Sequence, residues 1–124
     1  MLKKVNKKSP VLKKGFKNFL IDIDGTITDD VPNEEPKRMV TCKPYPGAKE
    51  KINALYDEGH IITFFTSRLS KEHKKITTDW LKKYGFKYHK LLMDKPRGGN
   101  YHWIDNHPVK TTLFKKSWRN IRLG

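Results

Sequence analysis

Two carboxylates on alternate residues, Asp22 and Asp24, close an apolar run that reads Phe19-Leu20-Ile21-Asp22-Ile23-Asp24-Gly25-Thr26. Strand side chains alternate faces, so the pair projects to one side if strand geometry persists that far. Two like charges so close are costly unless a cation lies between them or one of them is protonated. Gly25 lets the backbone turn sharply, and Thr26 adds a hydroxyl. The stretch predicts one of two things. It is a strand tip that holds a divalent metal and a nucleophile, or it is a buried strand that ends in an ordinary Asp-Gly turn.

Other polar groups follow apolar runs in the same manner. Residues 60–65 form a second buried run that ends in Thr66, Ser67 and Arg68. A third run, at 89–93, leads into a turn-rich loop with Lys95, Arg97, Gly98 and Gly99. A fourth, at 101–104, ends in Asp105 and Asn106. Between the first two runs, Pro46-Gly47-Ala48 opens a helix whose face is Ala48, Ile52, Leu55 and Tyr56, with Gly59 as its left-handed stop. Ser70 is the expected N-cap of the next helix, with a stripe of Ile76, Trp80, Leu81 and Tyr84 before Gly85. Residues 27–46 carry Pro32, Pro36, Pro44 and Pro46 and read as a loop or small hairpin that forms a flap over the strand tip. The tail, with Leu113, Phe114, Trp118, Ile121 and Leu123, reads as a final basic helix or a docked segment. Trp80 and Trp103 are expected in the core.

Alternating strands and helices predict an α/β protein: a three-layer, Rossmann-like parallel sheet with helices on both faces, a short flap and no large cap domain. Ligands gather at the carboxyl ends of the strands in such sheets. Those ends carry Asp22 and Asp24, then Thr66, Ser67 and Arg68, then Lys95, then Asp105. Their convergence on one rim is more specific than any one motif.

The 124 residues suit one domain at 18–124, preceded by a basic N-terminal arm at 1–17. Lys and Arg number 27 against 13 Asp and Glu, a net charge of +14 that favours acidic partners. Nucleic acid is one such partner, through the basic surface; a phosphorylated small molecule is another. Cys42 stands alone, which excludes an intramolecular disulfide and a cysteine zinc cage and suits a reducing, cytoplasmic setting. No apolar stretch is long enough to span a bilayer, and no apolar signal core follows the basic first residues.

The pieces Asp22-Ile23-Asp24-Gly25-Thr26, the apolar run closing in Thr66, Lys95 before Pro96, and Trp103-Ile104-Asp105-Asn106 occur in one order. In that order they resemble the haloacid dehalogenase superfamily of phosphatases. Pro44-Tyr45-Pro46-Gly47-Ala48 and Phe65-Thr66-Ser67-Arg68 look like its small capless members, such as those linked to bacterial capsular polysaccharide. The resemblance implies Asp22 as the nucleophile and Asp24 as general acid and base. It implies Thr66 as a donor to a phosphoryl oxygen and Lys95 as the stabiliser of transition-state charge. Gly25, Thr26, Ser67, Arg68 and Arg97 would contact substrate. Magnesium would be held by Asp22, Asp24 and Asp105, with Asp24 giving its backbone carbonyl. Asn106 departs from relatives that carry a second acid there.

The expected activity is a magnesium-dependent phosphomonoester hydrolase acting on a sugar phosphate or related small metabolite. An open site also fits a large phosphorylated substrate, or a small one enclosed by a neighbouring subunit of a homo-oligomer. Two alternatives stand beside it. One is a phosphatase of nucleotides or polynucleotide ends, which the charge favours; the other is a noncatalytic basic binding module on the same fold.

Overall fold

A computed structural model describes residues 12–123. Most of the basic arm, with Lys3, Lys4, Lys7 and Lys8, lies outside the described residues. The elements run β1 (Asn18–Ile21), α1 (Pro36–Thr41), α2 (Ala48–Asp57), β2 (Ile61–Phe65), α3 (Ser70–Lys83) and β3 (Lys90–Leu92). The strands form a small open sheet in the order β1-β2-β3, all parallel. Asn18 pairs with Ile61 and Ile21 with Phe64. Thr63 pairs with Lys90 and Phe65 with Leu92. The result is a mixed α/β fold of three parallel strands and three helices.

β2 is the middle strand, and its three central residues Ile62, Thr63 and Phe64 are all buried, as expected of a strand covered on both faces. α2 packs on it through Ala48, Ile52 and Leu55, one helical face at i, i+4 and i+7. The turn after α2 needs Gly59. Its φ is 107°, and a Cβ there would lie 2.7 Å from the Phe16 ring. α1 packs against α3 and buries Met39 completely. The indole of Trp80 on α3 donates to the carbonyl of Cys42, just past α1, at 2.8 Å.

Two sequence expectations change, and of the two readings of the tail one holds. Residues 27–46 contain α1, because Pro36 stands in the first turn, where its missing N–H has no helical partner to lose. Residues 101–104 are not a strand; Tyr101, Trp103 and Ile104 are exposed, Ile104 at 88%. The segment alternates poorly as a half-buried strand, since both Trp103 and Ile104 are apolar, and among the described residues β1 keeps an unpaired edge. Trp103 is accordingly not a core residue. The tail is a docked segment and not a helix: Trp118 is buried, with Phe114, Ile121 and Leu123 packed around the core. Among the described residues no helix is long and apolar enough to cross a membrane.

Trp118 is thus the anchor of the tail. Trp118→Ala is expected to lower unfolding free energy by about 3 kcal/mol in urea titrations followed by circular dichroism, the cost of emptying a buried aromatic site.

Candidate active site at the carboxyl end of β1

β1 ends at Ile21, so Asp22 leaves the strand at its carboxyl end while Ile23 stays in the core. The chain then doubles back. Gly25 takes φ 81° and donates its N–H to the Thr28 carbonyl at 2.8 Å, and the Thr26 N–H donates to Ile23 at 3.1 Å. This turn returns the Thr26 hydroxyl to Oδ2 of Asp22 at 3.0 Å. Oδ1 of Asp22 accepts from Nζ of Lys95, also at 3.0 Å.

Lys95 arrives on the loop after β3. Its own N–H donates to the Thr66 carbonyl, and the N–H of Asp94 donates to the Arg68 carbonyl, each at 2.9 Å. Its ammonium lies 5.4 Å from the Phe65 ring centre and 5.3 Å from that of Tyr101. The Tyr101 hydroxyl donates to the Pro96 carbonyl and so holds its ring in place. The Lys95 side chain is 12% exposed and that of Asp22 36%, so a shielded cation faces a carboxylate that solvent and ligands can reach.

Asp24 lies in a different environment. Nε of Arg68 donates to its Oδ2 at 3.0 Å and Nη2 to its Oδ1 at 2.8 Å, a bidentate pair. The third donor used, Nη1, goes to the Thr77 hydroxyl on α3 at 3.0 Å. The guanidinium is fully buried. Removing either partner would strand a charge away from water.

The sequence-predicted residues therefore divide. Asp22, Thr26 and Lys95 meet in one cluster; Asp24 joins Arg68 beside it. Arg68 was expected at the substrate, but the fork geometry and burial commit it to Asp24 and Thr77. Thr66 is fully buried, and its hydroxyl accepts the Arg68 N–H at 3.1 Å, so it shapes the turn that aims Arg68. Ser67 is half-buried; its hydroxyl donates to Pro96 at 3.4 Å and its carbonyl accepts from Asn33 at 3.1 Å. Arg97 is exposed and lies 3.9 Å from Glu34 on the flap.

Asp105 makes its hydrogen bonds within its own segment. It accepts from the Trp103 indole at 3.1 Å and from the His107 N–H at 3.0 Å. These bonds, the indole's first, hold its carboxyl below the ordinary aspartate range. Its segment is not added to β1, so no strand carries it to the rim. Among the described residues no group of three or more acidic, histidine or cysteine side chains is arranged to hold a metal. Both Asp24 oxygens are taken by Arg68 and each Asp22 oxygen already has a donor. Asp24 would therefore meet a cation through its backbone carbonyl, as the resemblance implies, and Asp22 would share its oxygens between the cation, Lys95 and Thr26.

Sequence reasoning missed three supporting residues. Thr77 is a buried polar residue on the inner face of α3, a position that apolar periodicity skips. Trp118 donates its indole N–H to the Thr26 carbonyl at 2.7 Å, across 92 positions that no local pattern connects. Asp94 stands at the start of α3, where its carboxylate accepts from the Ser70 hydroxyl at 2.6 Å and the Ser70 N–H at 3.0 Å. Ser70 is thus the first helical residue and not the N-cap, because the cap comes from a distant loop.

No family model matches the chain, and no curated protein matches it significantly. Two solved structures share its fold. A crystal structure of a target protein from Vibrio cholerae has 23% identity and a TM-score of 0.57, covering 77% of this chain and 84% of the other. A chain in a structure of the Pnkp1/Rnl/Hen1 complex has 20% identity and a TM-score of 0.55. That match covers 86% of this chain but 36% of the other.

Two outcomes follow from the geometry. Arg68→Met and Asp24→Asn are each expected to cost about 3–5 kcal/mol, and the double variant less than their sum, in a denaturation double-mutant cycle. The Ser70 hydroxyl, and then its N–H, hold the Asp94 carboxyl below its usual range. Asp94 therefore adds stability above the ordinary aspartate pKa of about 3.9 and loses it as pH falls through the lowered value. Asp94→Asn should lower Tm near neutrality and leave it unchanged near about pH 2, by calorimetry.

Proposed function

We propose that the chain is a phosphomonoester hydrolase of the haloacid dehalogenase type, on a Rossmann-like layered core, working through an aspartyl-phosphate on Asp22. The single observation that carries this reading is the 3.0 Å contact between Lys95 and Asp22, residues 73 positions apart. It places a shielded cation against a reachable carboxylate where parallel sheets bind ligands. The motif order described above supports the same reading.

In this scheme a carboxylate oxygen of Asp22 attacks phosphorus, and the bond to the leaving oxygen breaks with its electron pair on that oxygen. Asp24, which must first take up a proton from solvent as one arm of the Arg68 fork lets go, gives that proton to the leaving alcohol. Water then attacks the aspartyl-phosphate, gives a proton to Asp24, and releases inorganic phosphate and the Asp22 carboxylate. Lys95 offsets the negative charge that gathers as nucleophile and phosphoryl group approach. Magnesium dependence belongs to this reading through the motif resemblance and not through the donor set, and no step above is routed through a metal.

Wild-type protein is expected to hydrolyse an aryl phosphate with magnesium and not after chelation. Asp22→Asn should lose about 10³-fold or more in kcat, and Lys95→Met about 10²–10³-fold. Equal turnover by Asp22→Asn, or none by wild type on a panel of sugar phosphates, nucleotides and phosphorylated oligonucleotides, would leave a binding module instead.

A further inference from the structure

We infer that a groove linked to the Asp22 turn through Trp118 binds a single-stranded polynucleotide and delivers its terminal phosphate to Asp22; the delivery half of this inference rests on the hydrolase reading. The groove has a volume of about 840 Å³, within the range of ligand sites. It runs between the loop at 43–47, the start of α2, the end of α3 and the docked tail. Four cations line it, Lys43, Lys49, Lys51 and Arg119, against one carboxylate, Glu50. Among the described residues none of the four is in an ion pair, although eight ion pairs occur elsewhere. A row of unpaired cations in a concave site suits a chain of phosphates, each contact releasing a counterion. A lone sugar phosphate would engage one or two of them.

Aromatic rings accompany the charge. Tyr45 and Tyr84 line the groove and are half-buried. Tyr45 stacks on Phe114 with centroids 6.1 Å apart, and Tyr84 leans on Trp80 at 5.0 Å. Each ring thus has an aromatic neighbour, and the Lys83 ammonium lies 5.3 Å from the Tyr84 ring centre; rings so held can serve as base-stacking platforms. Inorganic polyphosphate or an anionic glycan would use the cations and leave the rings idle. The groove is also tied to the site: its wall residue Trp118 donates to the Thr26 carbonyl, and the Thr26 hydroxyl donates to Asp22. The Tyr45 N–H donates to Ile27 at 2.8 Å in the same turn.

The test uses the full chain and fluorescein-labelled oligodeoxynucleotides of about ten nucleotides, a length within single-strand site sizes, carrying a 5′- or 3′-phosphate. Anisotropy is read at several salt concentrations for wild type and for the double variant Lys49→Gln with Arg119→Gln. Wild type should bind the oligonucleotide more tightly than polyphosphate of equal phosphate number. The double variant should bind about tenfold or more weakly, with a salt slope shallower by about 1.4, at about 0.7 per single-strand phosphate contact. Tyr84→Ala should weaken oligonucleotide binding and leave polyphosphate binding unchanged. Both variants should keep wild-type kcat/KM on aryl phosphate and lose kcat/KM on the oligonucleotide phosphate.

Oligonucleotide binding no tighter than polyphosphate, or unchanged in the double variant, overturns the groove assignment. Groove-dependent binding without aryl phosphate turnover supports the groove and removes the hydrolase reading. Aryl phosphate turnover with oligonucleotide dephosphorylation indifferent to the groove variants overturns the delivery role and leaves the hydrolase in place.

Discussion

A fully buried guanidinium governs this end of the molecule. Arg68 cannot be left without partners away from water, and the chain supplies them from two distant places: both oxygens of Asp24 and the hydroxyl of Thr77. Meeting that requirement fixes the turn after β1, the end of β2 and the inner face of α3 relative to one another. Thr66, buried beneath, sets the direction in which Arg68 leaves β2. The backbone of the same turn then receives the N–H groups of Asp94 and Lys95. The cation that meets Asp22 is thus positioned by the same knot that restrains Asp24.

Two aspartates only two residues apart consequently have opposite surroundings. Asp22 is 36% exposed and meets one ammonium; Asp24, 15% exposed, is gripped by the planar fork of a buried guanidinium. A bidentate pair resists rotation more than a single ammonium contact does. The arrangement separates a carboxylate free to meet a ligand from one whose orientation is set in advance. Arg68 thus acts on this end of the sheet through the orientation it imposes on Asp24.

Much of the fold was legible because its signals are local. The apolar runs of β1 and β2, the face of α2 and the stop at Gly59 depend on short spacings, and the structure bears them out. α1 escaped notice because proline was read as a breaker although Pro36 stands where a helix tolerates it. At the site, Asp22, Thr26 and Lys95 were legible as polar ends of apolar runs. The misjudged residues were those whose partners lie far away in sequence. Arg68 was read as a substrate contact because Thr77 and Asp24 sit nine and 44 positions from it. Residues 101–104 looked like a strand from composition, yet pairing with β1 is a property of the assembled sheet, and it is absent among the described residues.

The indole bond from Trp118 to the turn at Thr26 spans nearly the whole chain. Closing so long a loop costs entropy that no local contact returns until the core is already formed. Helices α2 and α3 can assemble early from neighbouring residues, whereas the Asp22 turn gains its last brace only when the tail settles. A partly folded chain would accordingly hold much of its secondary structure while its acidic tip was still loose. Maturation of the site is, on this architecture, among the final events of folding.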